Sequence, residues 1–147
     1  MKVKAGSSRG RILVVDQEDW CREFLSAVIK LVGFEELKLA SSVAEALEAL
    51  AQTPFDLIIT DHKLPDFRRL LDDGRSRYPT MRFILMVQQQ GQAYQLLYLE
   101  HVDIVFKPLS LDDIVRKIRH AIHQKNLHQS EEELRRLKQE AFRLFIS

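Results

Sequence analysis

Three residues of this chain could act together on charged groups: Asp16, Asp61 and Lys107. Each closes a short apolar stretch, in "RILVVD", "DLIITD" and "DIVFK". If those stretches lie side by side, two carboxylates and an ammonium form a compact cluster of acid and cation. Mg²⁺ is commonly held by one or two carboxylates, with water and phosphate completing its shell, and Asp16 and Asp61 supply that minimum. Taken singly, the residues have plainer readings, the aspartates as turn or cap residues and the lysine as a surface charge. Their convergence is what argues for chemistry.

The stretches that carry them read as neighbouring strands. "RILVVD" is apolar and β-branched without alternation, as expected of a strand covered on both faces. "FDLIIT", "MRFILMV" and "VDIVF" supply the third, fourth and fifth strands, and a short second strand falls near residues 34–40. Between them the spacing predicts helices. The first, capped by Asp19, carries Phe24, Leu25, Val28, Ile29 and Val32 and stops at Gly33. Ser42-Val43-Ala44-Glu45 is a capping box for a second helix ending before Pro54. A short third helix carries Phe67, Leu70 and Leu71 and ends by Gly74, and a fourth covers residues 91–101. The last begins at Ser110, with Leu111, Ile114, Val115, Ile118 and Ile122 on one stripe. Five βα units in about 115 residues predict a flavodoxin-like (βα)5 three-layer sandwich, with parallel sheet order 2-1-3-4-5. Such sheets bind ligands outside the carboxyl ends of their strands, where Asp16, Asp61 and Lys107 fall.

The bulk numbers agree with one soluble domain: 147 residues, 46% hydrophobic and 29% charged. A net charge of +1 gives no electrostatic reason to expect nucleic acid or an anionic membrane as partner. No apolar run approaches the roughly 18 residues of a spanning helix, and no signal-peptide core follows the first lysines, so a cytoplasmic protein is expected. Residues 1–10 read as a loose arm, 11–123 as the domain and 124–147 as a helical extension. Cys21, the single cysteine, lies in an apolar-periodic segment and reads as a buried hydrophobe. No Gly-rich phosphate loop, nucleophile-histidine set or zinc spacing suggests an enzyme.

The segments "RILVVDQED", "DLIITDHKLPD" and "DIVFKPLSLDDIVRKI" resemble the signature segments of response regulator receiver domains, in order and spacing, over residues 11 to 123. That resemblance implies a two-component phosphorelay role, with Asp61 as phosphoacceptor and a histidine kinase or phosphotransfer protein as donor. It further implies that Lys107 contacts the phosphoryl group and that Lys107-Pro108 is cis. Asp16, Asp61 and the backbone carbonyl of Lys63 would be Mg²⁺ ligands, with Gln17 or Glu18 as a further candidate. Signal would leave through the fourth helix, fifth strand and fifth helix. Beyond promoting its own phosphorylation and dephosphorylation, such a domain is not an enzyme.

Several positions depart from the family pattern. Gln17 replaces the second acidic residue, which weakens the expected Mg²⁺ affinity. Val87 replaces the hydroxyl that ends strand 4, Gln88 replaces a small residue, and Ile104 replaces the strand 5 aromatic. An ammonium at Lys63 could pair with Asp61 in place of metal, or face solvent. These departures open an alternative: a receiver-like interaction or dimerisation module that works without phosphorylation. Tyr94 and Tyr98 would suit an interaction surface in either case. His62, His120, His123 and His128 read as exposed. In the tail, Leu127, Leu134, Leu137, Ala141 and Leu144 make an imperfect heptad seam, with Ser130 at one position. It suggests a coiled coil or output linker, and a homodimer through the fourth and fifth helices and the tail. A charge-balanced tail too short for a helix-turn-helix gives no reason to expect direct nucleic acid binding.

Overall fold

Five strands, β1 (Arg11–Val15), β2 (Glu36–Ala40), β3 (Leu57–Asp61), β4 (Arg82–Val87) and β5 (Val102–Phe106), form one sheet in this computed structural model. All pairings are parallel and the order is β2-β1-β3-β4-β5, as the sequence predicts. Helices α1 (Asp19–Val32), α2 (Val43–Gln52) and α3 (Phe67–Arg77) and a terminal helix (Leu111–Ile146) complete the described elements. The structure describes residues 10–88, 96 and 99–146, the last two of these without their side chains. Residues 1–9 of the expected arm and most of the predicted helix over 91–101, with Tyr94 and Tyr98, lie outside that set.

Both faces of the sheet are covered, which explains why the strands show no alternation of apolar and polar residues. Ile12, Val14, Ile59, Ile84, Met86 and Val105 pack against α1 and the terminal helix. Leu13, Val15, Ile58, Phe83, Leu85 and Val87 pack against α2 and α3. The register then places the chemistry. Val15 pairs with Thr60, so Asp16 and Asp61 emerge at one level, and Val87 pairs with Phe106, so Lys107 follows beside them.

Local details differ from the sequence reading. Asp19 is the first helical residue of α1 rather than its cap; Glu18 holds the cap position without a side-chain bond, and Asp19 pairs instead with Arg22. Ser42 caps α2 as expected, accepting from the Glu45 amide at 3.2 Å, but the Glu45 carboxylate turns back to Ser41. Gly74 does not end α3, which runs on to Arg77. It is a buried point of close approach: a Cβ there would lie 2.6 Å from the Met81 methyl and 3.0 Å from the Phe83 ring. The predicted fourth helix does not reach His101, since residues 100–101 form a turn with His101 in the left-handed region at φ 62.

The end of the sheet away from Lys107 is tied to the terminal helix through Asp56. Its carboxylate accepts from the Arg11 amide at 2.7 Å and pairs with Lys125 at 2.5 Å. Its carbonyl accepts from the Arg82 amide at 3.1 Å. Farther along the helix, the His128 ring meets His101 edge-on, centroids 5.4 Å apart. His128 is therefore half-buried, unlike the exposed His120 and His123.

Replacing Gly74 by leucine is expected to lower the unfolding free energy by about 1–3 kcal/mol, because the added side chain overpacks a filled interior. Urea denaturation of wild type and variant measures the difference.

Candidate functional site

The Lys107 ammonium is the centre of the site. It donates to Asp16 Oδ2 at 2.8 Å, Glu18 Oε1 at 3.0 Å and Asp61 Oδ2 at 3.1 Å. Asp16 is fully buried, while Asp61 and Lys107 are buried at the rim of the sheet. The Lys107–Pro108 peptide that aims the side chain is cis.

Each carboxylate is held by backbone as well. Asp16 Oδ1 accepts from the Glu18 amide at 2.8 Å, a tight turn that directs residue 18 toward the site, and the Arg22 guanidinium grips the Asp16 carbonyl at 2.5 Å. Asp61 Oδ1 accepts from the Lys63 amide at 3.0 Å, leaving Oδ2 to Lys107. Charge-assisted bonds of this kind are about twice as strong as neutral ones. Burial alone would pull the Lys107 ammonium down, but its bonds to Asp16, Glu18 and Asp61 outweigh that and hold it well above the ordinary lysine value of 10.5. The Lys107 bond, with a further one from Trp20, holds Glu18 below the usual carboxylate value.

Three carboxylates around one ammonium leave a formal charge of −2. Their oxygens lie within 4.8 Å of one another. An all-oxygen donor set with residual negative charge fits a hard divalent cation. The acidic contribution beside Asp16 comes from Glu18 and not from Gln17, which is exposed and brings an amide. The sequence left those two open; the turn at Asp16 decides between them.

Lys63 does not pair with Asp61. Its ammonium crosses to Gln88 Oε1 at 2.5 Å, joining the loops after β3 and β4. His62 is not an exposed loop residue: its amide and Nδ1 both face the Met86 carbonyl, at 3.1 and 3.3 Å, and its ring meets Phe67 edge-on. Val87 is fully buried among apolar side chains, and Ile104 packs at the edge of the same cluster. Trp20, half exposed, sits with its ring 5.9 Å from the Lys107 ammonium, a cation–π contact that sequence spacing did not suggest. Cys21 is buried as expected, and burial together with the Asp16 carboxylate pushes its thiol up to about 12.

A family model for the response regulator receiver domain matches residues 12–119. The chain belongs to that family. Among curated proteins, the receiver is 32% identical over 124 residues to response regulator protein PilR of Pseudomonas aeruginosa, covering 81% of this chain and 27% of that one. It is 31% identical to regulatory protein AtoC of Escherichia coli, over 88% of this chain and 28% of that one. The chain thus spans about a quarter of the length of the curated relatives it matches. A solved receiver domain from Clostridium thermocellum superposes with a TM-score of 0.70 at 26% identity, over 80% of this chain and 97% of that one. NtrX from Brucella abortus, solved in complex with ATP, shares the fold at a TM-score of 0.78 and 22% identity, over 86% of this chain and 30% of that one. No described helix is long and apolar enough to cross a membrane.

Two outcomes follow from the cluster. Lys107→Met leaves Asp16 buried without its cation and is expected to cost about 3 kcal/mol in denaturant unfolding at neutral pH. Because the Lys107 value is raised on folding, its contribution is complete below 10.5 and is lost as pH climbs through the folded value. The stability gap between wild type and Lys107→Met should therefore hold steady from neutrality to about pH 10 and shrink above it. Separately, the Cys21 thiol should stay silent toward a thiol-reactive dye near pH 8 in the folded receiver and react once urea unfolds it, as absorbance would record.

Proposed function

We propose that the receiver takes a phosphoryl group from a phosphohistidine of a partner kinase or phosphotransfer protein onto Asp61. The observation that carries this reading is the Asp61 carboxylate, fixed at one oxygen by the Lys63 amide and at the other by the Lys107 ammonium. An Asp61 oxygen attacks phosphorus, an O–P bond forms and the N–P bond breaks. The imidazole leaves with the bond's electron pair and takes up a proton. Lys107 then exchanges part of its contact with Asp61 for the transferred phosphoryl oxygens, so the charge is met by a group already in place. Asp16, Glu18 and Asp61 would hold Mg²⁺, which when bound offsets the negative charge that donor and acceptor bring together.

The response to phosphorylation has to differ from that of relatives with a strand 4 hydroxyl. Val87 offers no donor to a phosphoryl oxygen, and Ile104 has no ring to rotate. What joins β5 to the terminal helix is the Lys117 ammonium, which donates to the Ile104 carbonyl at 2.7 Å. That bond is the route by which a shift of β5 would reach the output helix. The buried Val87 and the Lys63–Gln88 bridge favour a second reading, an interaction module that does not switch.

Intact-mass analysis after incubation with acetyl phosphate and Mg²⁺ separates the two. A single phosphoryl adduct, absent in Asp61→Asn, is expected, and Mg²⁺ should alter the fluorescence of Trp20, the chain's one tryptophan. Glu18→Gln should raise the Mg²⁺ concentration needed by roughly tenfold, since one carboxylate near the ion is lost. No adduct on a folded chain, with Trp20 indifferent to Mg²⁺, would overturn phosphoryl transfer in favour of the interaction module.

A further inference from the structure

Beyond His128 the terminal helix leaves the domain, and every described side chain from Gln129 to Leu144 is exposed. A solitary stretch of about 18 residues is marginal as a helix in water, because its nucleation is costly and no apolar face is buried. The apolar residues along it are nonetheless ordered. Leu127, Leu134 and Ala141 recur at one heptad position, and Ser130, Leu137 and Leu144 recur at a second, three residues later. That is a seam of the kind two helices share. Leu127, Leu134 and Leu137 are 45%, 53% and 53% exposed, so most of this seam faces solvent in the single chain.

Charges beside the seam select the occupant and its direction. Arg135 and Arg136 turn away from it, pairing along their own helix with Glu132 and Glu133. In a parallel, in-register pair, Glu133 flanks the seam opposite Lys138 of the second copy, and symmetry gives this attraction twice. In an antiparallel pair, Glu131 would face Lys138 but Glu133 would face Glu140, so attraction and repulsion offset. The pattern is thus self-complementary in one orientation.

We propose that residues 127–144 pair with the same segment of a second copy, parallel and in register, making the receiver a homodimer through its terminal helix. The pairing needs no phosphoryl group, and it stands or falls apart from the chemistry at Asp61. Ser130 occupies a seam position, so a parallel pair brings it against its own counterpart, whereas an antiparallel pair sets it against Ala141.

Sedimentation equilibrium of the whole chain tests the association. A dimer is expected at micromolar concentration, and Leu134→Asp with Leu137→Asp should return it to monomer while Trp20 fluorescence reports an intact domain. Lys138→Glu should weaken the dimer roughly tenfold by turning two attractions into repulsions, and adding Glu133→Lys should restore it. Ser130→Cys should form a linked dimer on mild oxidation, because Cys21 is buried and cannot compete. A wild-type monomer at all accessible concentrations would overturn the proposal. So would a dimer that survives the double aspartate change, ignores the charge swaps, or leaves Ser130→Cys unlinked.

Discussion

A buried ammonium held among three carboxylates constrains everything around it. Lys107 can reach Asp16, Glu18 and Asp61 together only if β1, β3 and β5 end at matched heights and the chain turns sharply after each. An uncompensated charge at Asp16, which has no exposure, would cost several kcal/mol, so the registers that bring Lys107 to it are enforced by electrostatics as well as by apolar packing. The cluster thereby acts as a check on the fold: a one-residue slip of β5 would withdraw the cation and turn the strand's buried face outward.

Much of this was legible in the residues. Unbroken apolar strands, glycine and proline punctuation and helical spacing led to the sheet order, because burial on both faces leaves a plain signature. The three site residues followed from their places at strand ends. Less legible was anything decided by a single turn. Only the bond from the Glu18 amide to Asp16 distinguishes Glu18 from Gln17, and no spacing rule announces it. Gly74 looked like a helix stop and is instead a gap left for Met81 and Phe83, residues of the neighbouring layer that local sequence cannot see. His62 and Lys63 were misjudged for the same reason, since their partners, Met86 and Gln88, come from another strand end.

The two ends of the sheet are built differently. At the carboxyl ends the groups are charged, buried and held by one another. At the opposite end Asp56 fastens the start of β1, the start of β4 and the terminal helix with its own backbone and side chain, so that the helix is fixed to the sheet at a point remote from Asp61. Between them lies the Lys117 bond to Ile104. A disturbance at the site that moves β5 is therefore resisted at Asp56 and relieved along the helix, which is the arrangement of a pivot.

The unbroken course of the terminal helix gives that pivot mechanical gain. No described residue interrupts the helix between Leu111 and Ile146. Its free length beyond His128 is about 27 Å at 1.5 Å per residue, so a tilt of about 5° at the domain carries the tip roughly 2 Å. A motion too small to disturb the packed core thus becomes a displacement comparable to the depth of a side-chain contact. The helix is an amplifier whose gain is set by its length alone.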